Sequence, residues 1–300
     1  MKSRKLWLGL GAAAFSSTLT PTAPLAASSA AAHDAATQTT RCTAQPSLQV
    51  AENTPAPSHQ HGASAPAKAG HGGEGGEGSA AAADADARLD PTLRFYRDIQ
   101  LVRGHLLVGD ELIKDGRWAD ALPHFLHPVE ELYDKLNPQL KPMKLKPFLA
   151  QLKALAQTVK AKNSAAYEAA LKALDSRLDA VDVATKSAKS DWMQFAVETA
   201  LETMRSALGE YGQSIEGGKF AKAVEYQDSR GFVWQADRLF ASIASELDAK
   251  HPDAAKKARA EIAVLKSAWP AAIPPAAPIL EPSQVAATIS KIELALGSVK

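Results

Sequence analysis

A single cysteine in 300 residues excludes an internal disulfide and any cysteine-based zinc or iron–sulfur site. An excess of one charge is missing too. Lys and Arg total 34 against 33 Asp and Glu, a net charge of +1, so there is no basic field of the kind that holds nucleic acid. No apolar run reaches the roughly 20 residues that a membrane span needs. Alternating apolar–polar stretches that would read as strands are also lacking. His-Glu-x-x-His, Gly-x-Ser-x-Gly and phosphate-loop motifs do not occur, and Cys42 has no Cys-x-x-Cys-His context for covalent haem. With no complete catalytic constellation, the chain reads as a non-enzyme.

What is present begins with an export signal. Lys2, Arg4 and Lys5 precede the apolar stretch from Leu6 to Phe15, and small residues suited to cleavage come next, near Ala27 or Ala32. Residues 1–32 are therefore expected to be a signal peptide, and the mature chain to work in a bacterial periplasm. Residues 33–89 are dominated by Ala, Gly, Ser, Pro, Thr and His, and bury too little apolar surface to offset chain entropy. This tail is expected to be disordered, with order beginning near Asp90-Pro91. His59, His61 and His71 within it could capture Cu(II), Ni(II) or Zn(II) weakly, or belong to a plain spacer.

From Asp90 onward apolar residues recur at three and four. Leu149, Leu152, Leu155 and Val159 form one stripe, and Tyr167, Leu171, Leu174, Leu178 and Val181 another. Asn163 is a natural N-cap for the second, and Glu281-Pro282-Ser283 can open a last helix. The class is all-α. An ungapped internal match supports a duplication: Ile113 to Leu122, around Gly116 and Trp118, aligns with Ile215 to Val224, around Gly218 and Phe220. Each reads as a helix end, a Gly turn and a second helix. The copies would run from 90 to 187 and from 188 to 300, with about four helices each, as duplicated up-down bundles. A spacing near 100 residues, rather than about 34, sets this apart from tetratricopeptide arrays.

Three histidines bracket the first turn. His105 lies 11 residues before Gly116, and His124 and His127 lie 8 and 11 after it. Antiparallel helices joined by a short loop align equal distances from that loop, so His105 and His127 should sit at the same height. Gly104, next to His105, would let another helix approach closely. His124, His127, Glu130 and Glu131 fall at spacings that place donors on adjacent helical turns. On an ideal wheel, however, Leu122, Phe125, Val129 and Leu132 form the apolar face, and His124, His127 and Glu131 lie opposite, as a solvated face would. Pro128 must break or kink the helix at that point. In the second copy the histidines align with Tyr226 and Ser229, so the hairpin itself does not require them.

The run His127-Pro-Val-Glu130, continued by Glu131-Leu132-Tyr133, resembles the Gly-x-His-x-x-Glu hallmark of imelysin-like periplasmic proteins, with Phe125 in place of the glycine. The resemblance implies periplasmic metal uptake or sensing, with His127 and Glu130 in a metal role. Two readings are open. In the first, His105, His124, His127, Glu130 and Glu131 hold an iron, copper or zinc ion, and the partner is an envelope transport protein. In the second, the chain is a metal-free helical interaction or scaffold module.

Overall fold

The computed structural model describes residues 86–299, so the leader and nearly all of the tail lie outside the described residues. The chain from Pro91 is all-α apart from one short hairpin. Its elements are α1 (Pro91–Lys114), α2 (Trp118–His127), a π-helical turn (Pro128–Leu132), α3 (Tyr133–Leu140), α4 (Leu149–Lys160) and α5 (Ser164–Ala188). Then come α6 (Trp192–Gln213), β1 (Ile215–Glu216), β2 (Lys219–Phe220), α7 (Ala223–Ser242), α8 (Ala244–Lys250), α9 (Pro252–Lys266) and α10 (Pro282–Ala295). Ahead of Asp90, residues 86–88 are helical, and the Asp86 carboxylate pairs with Arg97 at 2.5 Å.

Local sequence explains the starts. Asp90 accepts from the backbone N–H of Thr92 and Leu93, ahead of Pro91 in the first turn. Asn163 caps α5 through the Ala166 N–H, and Glu281 with Gln284 forms a reciprocal capping box at α10. The two aligned turn motifs resolve differently. In the first, Gly116 takes φ +75° and the Arg117 N–H reaches back to the Leu112 carbonyl, closing α1 with a Schellman motif. In the second, Gly217 and Gly218 both have positive φ and make a two-residue hairpin pairing Ile215 with Phe220. A second glycine replaces Asp115 there, and this allows the four-residue ladder in a region expected to turn directly into a helix.

One apolar cluster runs from Leu93 on α1 to Val299 beyond α10. Within it α7 packs on α6 and α1, α2 on α1 and α4, and α10 on α6 and α9. The Pro-rich connection before α10 is fastened to this core. Tyr211 and Tyr226 donate their hydroxyls to the carbonyls of Leu280 and Ala271, and the buried Trp269 indole donates to Ser229.

Two helices meet nearly backbone to backbone at Gly104 on α1 and Gly231 on α7. A Cβ on Gly104 would lie 2.6 Å from the Phe232 ring, and a Cβ on Gly231 would overlap the Gly104 carbonyl oxygen. Backbone cannot yield as a side-chain tip can. Gly231→Ala should therefore cost about 2–3 kcal/mol by overpacking, or roughly 4–12 °C in Tm for a domain of this size. Gly209→Ala on α6, where the space is open, should be neutral or mildly stabilising. Differential scanning calorimetry of the two variants checks this, and equal Tm values would refute the close-approach reading.

Candidate metal centre

The Gly104–Gly231 contact sets α1 and α7 near enough for short side chains to meet. His105 is next to Gly104, and Asp228 lies one turn before Gly231 on the same face. His105 donates its Nδ1–H to Asp228 Oδ1 at 2.6 Å, and the Phe232 ring packs edge-on against the imidazole, with centroids 4.9 Å apart. Both residues are buried.

The other two imidazoles arrive from α2. His124 donates Nδ1–H to the same Oδ1 at 2.7 Å, and its Nε2 lies 2.9 Å from Gln227 Oε1, so both ring nitrogens are engaged. His127 donates Nδ1–H to Oδ2 at 3.0 Å and keeps its side chain 23% exposed. The rings of His105 and His127 are 5.4 Å apart between centroids, in agreement with the equal distances counted from Gly116. The solvated-face expectation for His124 and His127 does not hold, since His124 is wholly buried. Beyond α2 the wheel itself no longer applies. Pro128 has no N–H to continue the α ladder, and the chain passes through a π turn closed by the Tyr133 N–H on the Pro128 carbonyl. The wider turn shifts the register, so a wheel drawn across Pro128 misplaces Val129 to Leu132 relative to α2. Meanwhile α2 is covered on both sides: Phe125 packs on Gly109 and Tyr167, while the histidines meet α7.

The electrostatics result from burial around one anion. Burial alone would raise the Asp228 carboxyl, but the charges of His105 and His124 and their hydrogen bonds hold it well below the usual carboxylate range. Burial alone would lower His127. The Asp228 bond and charge, with Glu131 and Glu210 nearby, outweigh that and bring it up to about 9. Glu210 on α6 is pushed up to about 8 by burial and by the charges of Asp228, Glu131 and Glu225.

One nitrogen each of His105 and His127 and a carboxylate oxygen of Asp228 lie within 4.8 Å of one another, a set able to hold a metal ion. Two imidazoles and a carboxylate with positions left open suit Fe(II), Zn(II) or Cu(II). Ligands sharing one ion sit roughly 2.8–3.6 Å apart, from bonds of about 2.0–2.2 Å at tetrahedral to octahedral angles. His105 and His127 lie 2.6 and 3.0 Å from the two oxygens of Asp228, and the three donors span up to 4.8 Å, so an ion would draw the set together. Of the five residues expected as donors, the three histidines converge on Asp228, with His124 saturated by its two contacts. Glu131 is exposed but close enough to bias His127, and Glu130 is exposed and outside the donor group. Asp228, Gln227 and Glu210 are absent from the sequence-based expectation. The signal for Asp228 was its place between Val224 and Phe232 at spacings of four, an acid on an apolar stripe.

Residues 185–299 match the model of a family described as an iron permease-associated 4-helix bundle domain. This differs from the imelysin-like family suggested by His127 and Glu130, and that pair lies outside the matched residues. The match spans α6 to α10 and includes Asp228, while the three histidines precede it. No curated protein and no solved structure matches the chain. Among the described residues, no helix is long and apolar enough to cross a membrane.

These shifts set a pH profile for the metal-free fold. His127 has a folded pKa above its ordinary 6.5, so its contribution is complete below about pH 6.5 and is lost as pH rises through about 9. Glu210 is kept neutral in the fold, which costs stability progressively between its ordinary 4.5 and about 8. Asp228 contributes above its ordinary 3.8, and that contribution is lost in strong acid. Urea unfolding in the presence of a chelator should therefore show stability falling between about pH 6 and 9.5. Asp228→Asn should lose about 3–5 kcal/mol at pH 6 and flatten the His127-dependent part of the alkaline decline. An unchanged decline in that variant would contradict the assignment.

Proposed function

We propose that this chain is an exported, non-catalytic metal-handling protein of the bacterial periplasm, serving iron uptake or homeostasis. The observation that carries the reading is the convergence of His105, His124 and His127, from two helices, on one buried carboxylate of a third. The iron permease-associated bundle matched by residues 185–299 supports iron as the cargo and an envelope transport protein as the partner. His105, His127 and Asp228 hold the ion. His124, tied to Asp228 and Gln227, fixes the carboxylate rather than ligating. The leader supports export, and the tail histidines serve as an auxiliary collector.

Deprotonated ligands are required, so binding must release protons. His127 is the main source, since it carries its proton to about pH 9 without metal. In the full chain with His59, His61 and His71 replaced by Ala, titration calorimetry should detect Fe(II), Zn(II) or Cu(II) binding tighter than micromolar. At pH 7 it should release about one proton, read from the enthalpy in buffers of different ionisation heat. His105→Ala and His127→Ala should each weaken binding at least about 100-fold, or roughly 2.7 kcal/mol, and Glu130→Ala should leave it unchanged. Absence of micromolar binding, or binding indifferent to both histidine variants, would favour the metal-free scaffold. The contacts among the three imidazoles and Asp228 would then serve stability alone.

A further inference from the structure

Charge is balanced over the whole chain but not along it. Residues 135–167 hold seven lysines and no Asp, Glu or Arg, so this segment carries +7 in a chain whose net charge is +1. In the fold it forms the end of α3, all of α4 and the loops at the two ends of α4. All seven lysines are exposed. Lys135 lies close enough to the buried Asp98 to act on its carboxyl. The other six (Lys141, Lys144, Lys146, Lys153, Lys160 and Lys162) make no ion pair or side-chain hydrogen bond among the described residues. Lysines elsewhere do: Lys114 pairs with Asp110 and Lys266 with Asp237, both at 2.6 Å.

The backbone gives two of these lysines positions that glycine normally takes. Both α3 and α4 end in Schellman motifs. The Leu145 and Lys144 N–H groups reach back to the carbonyls of Leu140 and Lys141, and those of Asn163 and Lys162 to Thr158 and Val159. The left-handed residue is Lys144 at φ +56° in the first and Lys162 at φ +52° in the second. Glycine is the default there, as Gly116 is at the end of α1. Among the described residues, these two lysines are the non-glycine residues with positive φ. Between them, Lys153 and Lys160 are seven positions apart and lie on one line of α4, where Ala150, Ala154 and Gln157 share the exposed surface. The 12-residue helix is about 18 Å long. The cations therefore run along an edge of that length which has small neighbours and no acid of its own.

A flat strip of lysines suits diffuse negative charge. Nucleic-acid grooves are read with planar Arg forks and aromatic stacking. This segment has no arginine, and its two aromatic residues, Phe148 and Tyr167, are buried. Met143 and Leu145 alternate with Lys144 and Lys146 and are only half-buried. Apolar groups interleaved with long cationic stems match the headgroup level of a bilayer. We propose that α4 and its two flanking loops dock on a membrane surface rich in anionic phospholipid, held by the headgroup phosphates. The strip shares no residue with the metal centre and stands independently of that reading.

Acetylation footprinting of the full chain on lipid vesicles tests it. The leader expected at residues 1–32 has cations and an apolar run of its own, so contact is read lysine by lysine by mass spectrometry. On vesicles of phosphatidylglycerol and phosphatidylcholine in equal parts, at about 50 mM salt, Lys141, Lys144, Lys153 and Lys160 should label at least about threefold more slowly. The exposed Lys219, Lys256 and Lys257 should label as they do without vesicles. Protection should disappear on phosphatidylcholine alone, and at about 0.5 M salt. Each lysine near an anionic surface strengthens binding about fivefold, so the triple change Lys141→Gln, Lys144→Gln and Lys146→Gln should weaken docking about 100-fold and remove the protection of Lys153 and Lys160. The triple change Lys219→Gln, Lys256→Gln and Lys257→Gln removes the same charge and should leave that protection intact. Equal protection of both sets of lysines, no protection at all, or protection of Lys153 and Lys160 that survives the first triple change would overturn the proposal. Retention on polyglutamate without protection by vesicles would also overturn it, and would assign the strip to an acidic protein.

Discussion

An ionised carboxylate inside a helical core costs several kcal/mol unless it is met by charge and hydrogen bonds. Asp228, 3% exposed, meets that cost with three imidazole N–H groups, two on one oxygen and one on the other. Much of the architecture answers to this requirement. The glycine contact between α1 and α7 brings His105 to 2.6 Å from the carboxylate. Phe125 seated on Gly109 fixes α2 at the height where His124 and His127 face α7. Next to the carboxylate, Arg230 chelates Glu111 on α1 and donates to the Trp269 carbonyl, locking the helix against axial slippage.

Two residues of the chain carry opposite lessons about what local spacing can disclose. His105 could be placed from the sequence because the distance to a turn is a local quantity, and antiparallel helices convert it directly into height. Asp228 could not, because its meaning depends on which helix lies across from it, and that is decided by packing between segments more than 100 residues apart. Helix starts at Asp90, Asn163 and Glu281 were legible for the same local reason, and the capping bonds are all in place. Across Pro128 the regular period failed because it assumes an unbroken α ladder. The π turn violates that assumption at the one place where it mattered for Glu130 and Glu131. Substitution of one glycine for an aspartate separated two turns that are otherwise aligned.

The matched bundle and the histidines occupy different parts of the chain. Residues 185–299 supply the scaffold, the carboxylate and its Gln227 neighbour, and the preceding helices supply the imidazoles. Helices from outside the matched segment thus bring the imidazoles to a buried acid that lies inside it. In the second copy of the turn motif, Tyr226 stands where His124 stands in the first, and it spends its hydroxyl on the Pro-rich connection instead.

His105 and Asp228 are 123 positions apart in the chain, yet their side chains are hydrogen-bonded. Closing so long a loop is entropically slow and comes after local helices have formed. The donor set therefore exists only in molecules that have completed the docking of α1 on α7. A nascent or unravelled chain offers dispersed imidazoles with no common focus, so the proposed ion binding belongs to the finished molecule alone.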